Sequence, residues 1–207
     1  MKKIYIVLSI CLFLPLAISL FYFNKRDNSD ENKDKKIVTP RTVTLGGRFT
    51  SRNEGSILRK AVRLFTEEIR SNQIRITIDE RGIVISISSD VIFNSASATI
   101  NIEASHEIFF KLAILFSSEE LMDYNFLIEG HTDSTPVDST GYWISNWHLS
   151  YERALSVLYY LNGLSVSEDR MRIVGLGSAF PVVNDTKELR IYNRRIDIIL
   201  INNDIHH

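Results

Sequence analysis

The sequence predicts an α/β (α+β) two-layer sandwich, in which a mixed β-sheet carries helices on one face, behind a single N-terminal transmembrane helix. Three observations support this fold class. The chain begins with a long uncharged run, its middle contains short apolar runs of period two, and longer segments repeat apolar residues every three or four positions. Strands that alternate with helices favour one sheet with the helices packed against it.

Residues 1–25 are predicted to be an N-terminal transmembrane anchor. The run Ile4 to Phe23 contains no charged residue. As a helix rising about 1.5 Å per residue it spans roughly 30 Å, the thickness of the hydrocarbon core. The expected location is therefore the inner (cytoplasmic) membrane, crossed once, with the C-terminal domain in the periplasm. Because the run holds no Asp, Glu, His, Lys or Arg, it offers no path for ions.

Two other interpretations of the N-terminus stay open. Cleavage at the small residues of Ala17-Ile18-Ser19 would release the chain into the periplasm, although apolar residues continue past that point. A lipoprotein signal at Leu8-Ser9-Ile10-Cys11 fits less well, because Ile10 is bulky where a small residue is expected. Cys11 is the only cysteine, so the chain has no intramolecular disulfide and no cysteine-based zinc site.

Residues 26–56 are predicted to be a periplasmic linker. They begin within a charged stretch free of apolar residues, Asn24 to Lys36, and continue through Pro40 and Gly46-Gly47, which are typical of loops. The domain is predicted over residues 57–207. It starts with an amphipathic helix, because apolar side chains recur every four positions from Ile57 to Ile69.

The rest of the domain alternates strands and helices. Ile74–Ile78 and Ile83–Ile87 alternate apolar and polar residues around a turn with Gly82, which predicts a β-hairpin. The further predictions are a loop from Asp90 to Ala98, a helix from Ile100 to Phe116, a strand from Tyr124 to Ile128, a polar stretch from Glu129 to Asn146, a helix from Leu149 to Leu161, a strand from Met171 to Val174, a short helix around Lys187 to Tyr192 and a last strand from Ile196 to Ile201.

The charge balance argues against one class of partner. The chain has 24 Lys and Arg against 25 Asp and Glu, for a formal net charge of -1. Nucleic-acid-binding proteins normally show a basic excess clustered on one face. We therefore predict no nucleic-acid partner.

Three polar clusters fall at strand ends and in the loops after them, where α/β sheets commonly form sites. They are Gly130-His131-Thr132-Asp133, Ser145 to Arg153, and Asn193-Arg194-Arg195. Together they offer a carboxylate and several guanidiniums on an apolar scaffold. Such a set can clamp a zwitterion, since the carboxylate takes an ammonium and an arginine takes a carboxylate in a bidentate fork.

The order of these motifs resembles the OmpA-like peptidoglycan-binding domain. GHTD is followed by SNWxLSxxRA, then by GxG with a Pro-x-x-Asn, then by NRR before a final strand, and matching residues run from about Ile83 to Ile201. Thr135-Pro136-Val137 after GHTD makes the chain most similar to the subgroup of flagellar stator B subunits (MotB-like) and related inner-membrane anchors.

The resemblance implies non-covalent binding of the diamino acid of the peptidoglycan stem peptide, diaminopimelate or a similar one. Asp133 would take its side-chain ammonium and Arg153 its carboxylate. Thr132 and Asn146 would support the ligand, largely through backbone groups, and Arg194 would add a further contact. The pocket wall would be shaped by Leu149 and Phe93.

We therefore expect a non-enzymatic wall anchor with no cofactor, no metal and no catalytic residue. The implied partners are the stem peptide, an inner-membrane partner subunit and a second copy of the chain, since homodimers are usual among stator-like relatives. The alternative is a stator-like or secretion-apparatus subunit that recruits a membrane partner. Stator B subunits carry an ion-conducting acidic residue in the membrane helix, which this sequence lacks.

The clamp residues also have plainer interpretations. Asp133 and Arg153 could pair with each other and brace the loop against the helix. Arg194-Arg195 could be a solvated strand start. His131 fits a hydrogen-bond partner that orders the loop better than a ligand.

Three other functions need residues that the sequence offers only in part. A metal could use His131, Asp133 and His148, but no spacing typical of metal ligands supports this. Trp143 and Trp147 could stack on sugars or cover the edge of the core. An enzyme acting on the wall would need two carboxylates facing one pocket, and the sequence offers Glu129 with Asp133.

Overall fold

The computed structural model describes residues 54–138 and 141–203, and these form a five-stranded sheet with helices packed on one face. This confirms the predicted mixed sheet with its one-sided helical layer. The predicted transmembrane anchor and nearly all of the predicted linker lie outside the described residues. Among the helices of the described part, none is long and apolar enough to span a membrane.

Five helices and five strands make up the described part of the chain. The helices are α1 (Glu54–Leu64), α2 (Thr66–Arg70), α3 (Ser89–Ile92), α4 (Ile102–Phe116) and α5 (Asn146–Gly163). The strands are β1 (Ile74–Asp79), β2 (Gly82–Ser88), β3 (Tyr124–His131), β4 (Met171–Gly175) and β5 (Arg195–Asn202). Short 3-10 turns cover Glu119–Leu121, Glu168–Arg170 and Arg190–Tyr192.

The strands lie in the order β1-β2-β5-β3-β4. β1 and β2 form the predicted hairpin, and β5 inserts between β2 and β3 with antiparallel pairing on both sides. Only the pair β3 and β4 is parallel. In the middle of the sheet, Ile198 lies between Ile85 and Ile128. The last strand in the chain is therefore the central strand of the sheet.

The core lies between the helices and one face of the sheet. Alternate residues of the strands point into it, as the period-two pattern predicts. On the helix side, α1 buries Ile57 and Ala61 completely, and Phe65 follows it at 0% exposure. Each fully buried side chain of Ile or Phe size stabilises the fold by about 1.5–3 kcal/mol relative to leaving it exposed.

Helix α5 crosses the sheet over two glycines that lie side by side. Gly130 of β3 pairs with Gly175 of β4. A Cβ added at Gly130 would lie 1.9 Å from the backbone oxygen of Ser150, and one at Gly175 would lie 2.5 Å from the backbone nitrogen of Tyr151. The absence of side chains at these two positions lets the first turns of α5 approach the strands closely.

Several predicted boundaries are wrong. β3 continues through His131, three residues beyond the predicted end. These last three residues pair with β5 although none of them is apolar. α5 begins at Asn146, since the N-cap is Ser145, whose hydroxyl accepts from the backbone N–H of His148 at 3.2 Å. The predicted loop after β2 contains the short helix α3.

Candidate functional site

A cavity of about 760 Å³ lies at the end of the sheet where β2 and β3 finish and β5 begins. Its lining comes from α3 and the loop after it, from the loop after β3, from the start of α5 and from the residue before β5. All of the residues predicted for peptidoglycan binding line this one cavity, namely Phe93, Thr132, Asp133, Asn146, Leu149, Arg153 and Arg194.

Asp133 is held in the loop directly after β3. It is 6% exposed, and its Oδ1 accepts a hydrogen bond from the backbone N–H of Thr135 at 2.8 Å. Its Oδ2 accepts from Nη1 of Arg194 at 3.0 Å. The carboxylate is thus held by a tight turn and a charge, and it does not pair with Arg153, as one of the plainer interpretations suggested.

Arg194 joins two carboxylates across the cavity. In addition to Asp133, its guanidinium donates to both carboxylate oxygens of Asp90 in α3, at 3.1 Å from Nε and 2.5 Å from Nη2. The hydrogen bonds to Asp90 are the largest reason why the pKa of Arg194 is raised. This bridge ties the start of β5 to the segment after β2.

Arg153 is buried without a carboxylate partner among the described residues. It is 5% exposed, and its only hydrogen bond there runs from Nε to the backbone oxygen of Ser97 at 2.9 Å. Its guanidinium carbon lies 5.2 Å from the centre of the Phe93 ring. Burial lowers the pKa of Arg153 to about 10. A desolvated cation that is left unpaired in this way is a ready binding partner for an anion.

Thr132 and Asn146 support the loop that carries Asp133. The backbone N–H of Thr132 donates to the backbone oxygen of Gly177 at 2.9 Å, whereas its buried hydroxyl has no hydrogen-bond partner among the residues that the structure describes. The side-chain amide of Asn146 donates to the backbone oxygens of Asp133, at 3.3 Å, and Thr135, at 3.0 Å. The loop geometry therefore depends on the first residue of α5.

The cavity carries charges of both signs. Asp90, Asp133 and Asp138 contribute three carboxylates, and Arg153 and Arg194 contribute two guanidiniums. Arg194 pairs with Asp90 and Asp133, and Arg153 pairs with no carboxylate among the described residues. A ligand that brings a carboxylate to Arg153 and an ammonium to Asp133 meets a group of opposite charge at each end, so the chemistry suits a zwitterion.

The other two residues of the NRR motif do not line the cavity. The side chain of Asn193 holds the neighbouring loop, since its Oδ1 accepts from the backbone N–H groups of Val182 and Val183. Arg195 is 5% exposed and its Nε donates to Asp197 at 2.9 Å. The interpretation of Arg194-Arg195 as a solvated strand start is therefore wrong for Arg195.

His131 lies on the sheet face opposite the helices, and its predicted role as a loop-ordering hydrogen-bond partner is wrong. It is 2% exposed inside β3, and neither ring nitrogen makes a hydrogen bond to any part of the chain that the structure describes. Its Nε2 lies 3.4 Å from Oδ2 of Asp197 and 3.7 Å from Oε2 of Glu129. The imidazole is therefore held by charge between two carboxylates.

The cluster of Glu129, His131 and Asp197 could also be considered as a metal centre. Its ligand atoms lie within 4.8 Å of one another. However, Glu129 already pairs with Arg81 at 2.9 Å and Asp197 with Arg195 at 2.9 Å. Two guanidiniums beside a divalent cation oppose its binding, so the geometry suits a charged brace across β3 and β5 better.

This brace predicts a fall in stability at high pH. Burial lowers the pKa of His131, and the positive charge of Arg195 lowers it further. The carboxylates of Asp197 and Glu129 raise it by more, so the pKa of His131 is raised overall. The stabilisation is complete below the unfolded pKa of about 6.5 and is lost as pH rises through the folded pKa, with a slope of at most about 1.4 kcal/mol per pH unit. We expect the thermal midpoint to fall between pH 6 and 9, and we expect His131→Gln to flatten this dependence. Equal slopes for both proteins would contradict the brace.

Several lining residues were not predicted as site residues, among them Asp90, Tyr142 and Trp143. Asp90 was assigned to a loop, because sequence spacing does not show that Arg194 reaches it. Tyr142 and Trp143 line the open side of the cavity. Trp143 was predicted either to stack on a sugar or to cover the edge of the core. Its position in a polar stretch of sequence did not distinguish these two roles.

Comparison with known proteins gives a family match that covers most of the residues lining the cavity. Residues 92–195 match the model of the OmpA family. The chain is 27% identical over 188 residues to Motility protein B of Bacillus subtilis (strain 168), which covers 86% of this chain and 68% of that protein. It is 38% identical over 79 residues to the Peptidoglycan-binding protein ArfA of Mycobacterium tuberculosis (strain ATCC 25618 / H37Rv), covering 38% of this chain and 23% of that protein.

Solved structures share the fold. A MotB-like protein from Desulfovibrio vulgaris superposes with a TM-score of 0.66 at 24% identity, covering 72% of this chain and 94% of that one. The cell wall anchor of the T6SS from Pseudomonas aeruginosa superposes with a TM-score of 0.59 at 26% identity, covering 69% of this chain and 96% of that one. The five-stranded sheet and its helical layer therefore recur in proteins of different bacteria.

Proposed function

The chain belongs to the OmpA family, and from this premise we propose that its folded domain binds peptidoglycan non-covalently and anchors an envelope protein to the cell wall. The observation that carries the proposal is Arg153, a buried guanidinium without a carboxylate partner in the described part of the chain, in the same cavity as the carboxylate of Asp133. The similarity to ArfA, a peptidoglycan-binding protein, and to the cell wall anchor of the T6SS supports the same role.

The ligand is the diamino acid of the stem peptide, diaminopimelate or one of similar chemistry. Its free carboxylate binds Arg153 in a bidentate fork and its ammonium binds Asp133, with Asp90 close by through Arg194. Thr132, Asn146 and Arg194 hold these groups in place. Leu149 and Phe93 form the apolar wall. Each charge-assisted contact contributes about 1.5–3 kcal/mol.

The domain acts as a binder rather than as an enzyme. The carboxylate pair that an enzyme would have used is split, because Glu129 belongs to the charged brace and does not line the cavity. Of the three carboxylates that do line it, Asp90, Asp133 and Asp138, the first two accept hydrogen bonds from Arg194. A carboxylate pair held by one guanidinium suits the binding of a charged ligand better than acid–base hydrolysis.

A single domain binds the wall weakly, whereas many domains together bind it firmly. Residues 4–23 anchor the chain in the inner membrane, and the folded domain lies in the periplasm. Copies that are confined to the membrane, as a homodimer or around a partner subunit, meet the wall at a high effective concentration. Avidity then converts modest affinity into lasting attachment.

A second candidate is a stator-like or secretion-apparatus subunit that recruits a membrane partner. It is favoured by the match to Motility protein B, which covers 86% of this chain and so extends beyond residues 92–195. In that case wall binding holds the partner still, and the partner supplies any ion path, since Ile4 to Phe23 has no acidic residue. A membrane protein that co-purifies with the full chain and is lost when residues 1–25 are replaced would favour this candidate.

Sedimentation with wall material tests the proposed function. The full chain in mild detergent is incubated with purified, protein-free peptidoglycan and centrifuged, beside an Asp133→Asn variant. We expect the wild type to pellet, and we expect the variant to stay largely in the supernatant while its circular dichroism is unchanged, because it loses the charge that takes the ammonium. A wild type that stays soluble on wall containing diaminopimelate would overturn the proposal.

A further inference from the structure

A second groove, of about 850 Å³, lies next to the charged cavity. It carries no carboxylate–guanidinium bridge among the described residues. Its floor is the stretch Ala96–Ile100, and its sides are aromatic residues from the loop before α5 and from α5 itself. Two of these rings are well exposed, Tyr142 at 77% and Tyr159 at 60%.

The α5 side of the groove is one face of the helix. Ser156 is four residues from Glu152, and Tyr159 and Tyr160 are three and four residues from Ser156, so these side chains project toward the same side of the helix. The ring of Tyr160 is held against Phe109 of the core with ring centres 4.7 Å apart. The face therefore presents aromatic rings on a fixed support, with a carboxylate and a hydroxyl between them.

Trp143 forms the partition between the groove and the cavity. It lines both, as do Ala96 and Tyr142. Its indole N–H donates to the backbone oxygen of Ala96 at 2.8 Å, and its ring meets Tyr142 edge-on with centres 4.7 Å apart. Since Arg153 donates to the neighbouring Ser97, the same strip of backbone contacts the anion-binding group of the cavity and the floor of the groove.

We infer that this groove is a binding site for the sugar strand of peptidoglycan. The inference rests on the proposed function and deepens it. The diamino acid is the third residue of the stem peptide, so only two residues and the lactyl group separate it from the sugar. Extended, this link reaches about 10 Å. A diamino acid in the cavity therefore delivers its own sugar to a site that shares three lining residues with that cavity.

The lining of the groove suits a sugar. A pyranose ring has apolar C–H faces that pack on aromatic rings and hydroxyls at its edge that need hydrogen-bond partners. Tyr142 and Tyr159 provide exposed rings for the faces. Glu152 and Ser156 provide acceptor and donor groups for the edge. Trp147, the other tryptophan singled out in the sequence, lines neither the groove nor the cavity.

Two fragments of the same wall separate the sugar contribution from the peptide contribution. The stem tripeptide and the disaccharide tripeptide are titrated into the full chain in detergent by calorimetry. We expect the wild type to bind the disaccharide tripeptide several-fold to about tenfold more tightly, the range that one aromatic contact supports. We expect Tyr159→Ala to bind both fragments with the affinity that the wild type has for the tripeptide, because Tyr159 lines only the groove.

Phe110→Ala is the matched control, since Phe110 is an aromatic residue of α4 with 57% exposure that lines neither site. It should keep the preference of the wild type. Equal binding of both fragments by the wild type, or an unchanged preference in Tyr159→Ala, would overturn the inference and leave the proposed function standing. The molecular mass of Tyr159→Ala in sedimentation gives a further test. If the mass changes while the preference for the disaccharide tripeptide does not, the groove is a contact between proteins, and the inference is overturned. Binding of neither fragment would overturn both.

Discussion

Replacing Arg153 by methionine is expected to abolish wall binding and at the same time to raise the melting temperature. The substitution keeps the apolar stem that packs near Phe93 and removes the guanidinium. Loss of a bidentate, charge-assisted contact of about 1.5–3 kcal/mol weakens binding of the diamino acid about tenfold to a hundredfold per site. Avidity amplifies this loss on whole wall material.

The rise in melting temperature has a separate cause. Arg153 is 5% exposed and has no carboxylate partner among the described residues, so the folded state carries a desolvated charge that the unfolded chain exposes to water. The pKa of about 10 reflects the same cost. Removing the charge removes the cost, and a few degrees of stabilisation should follow. Such a gain is typical of residues kept for binding rather than for stability.

Sedimentation with wall and thermal unfolding measure the two effects on the same preparation. Arg172→Met is the control, because Arg172 is an exposed arginine of β4 that does not line the cavity. It should bind wall and unfold like the wild type. An Arg153→Met protein that still pellets with wall would show that the anion site lies elsewhere in the chain.

Gly130→Ala is expected to destabilise the domain by about 3 kcal/mol or more. The new Cβ would lie 1.9 Å from the backbone oxygen of Ser150 and 2.7 Å from its carbonyl carbon. Backbone cannot rotate away as a side chain can, so α5 must shift from β3, and overpacking of this kind costs about 1–3 kcal/mol even where neighbours relax. The shift also moves Arg153 and Asn146, so wall binding should fall with stability.

Urea unfolding measures this effect, with Gly163→Ala as the matched control. Gly163 ends the same helix, and a Cβ there would meet nothing within 4 Å. Alanine is the better helix former by about 1 kcal/mol, so the control should be neutral or slightly more stable. If the two variants unfold at the same urea concentration, α5 does not rest on Gly130 as closely as described.

Much of the fold could be predicted from the sequence because its strongest patterns are local. The alternation of Ile74–Ile78 and Ile83–Ile87 predicts the hairpin, and the four-residue spacing after Ile57 predicts the first helix. The end of β3 could not be predicted in this way. Glu129 and His131 are polar, and only the neighbouring strand, which brings Asp197 and Arg195 beside them, makes a buried position for them.

The site, like the fold, has features that the sequence predicts and features that it does not. The seven residues implied by the family resemblance do line one cavity, because motifs at strand ends converge when the strands lie side by side. How their charges pair could not be predicted. Arg194 binds Asp90 as well as Asp133, and this leaves Arg153 unpaired in the described residues, a result that depends on distances across three segments of chain. Sequence spacing carries no information about such distances.

The central place of β5 determines when the domain can become stable during synthesis and export. The hairpin of β1 and β2 and the pair of β3 and β4 have no direct contact as strands until Arg195–Asn202 arrives between them. Until then both halves present unpaired edges, and the loop that must close is long, so folding is slow and nascent chains are open to aggregation. The sheet of this domain can therefore be completed only after the last strand has been made.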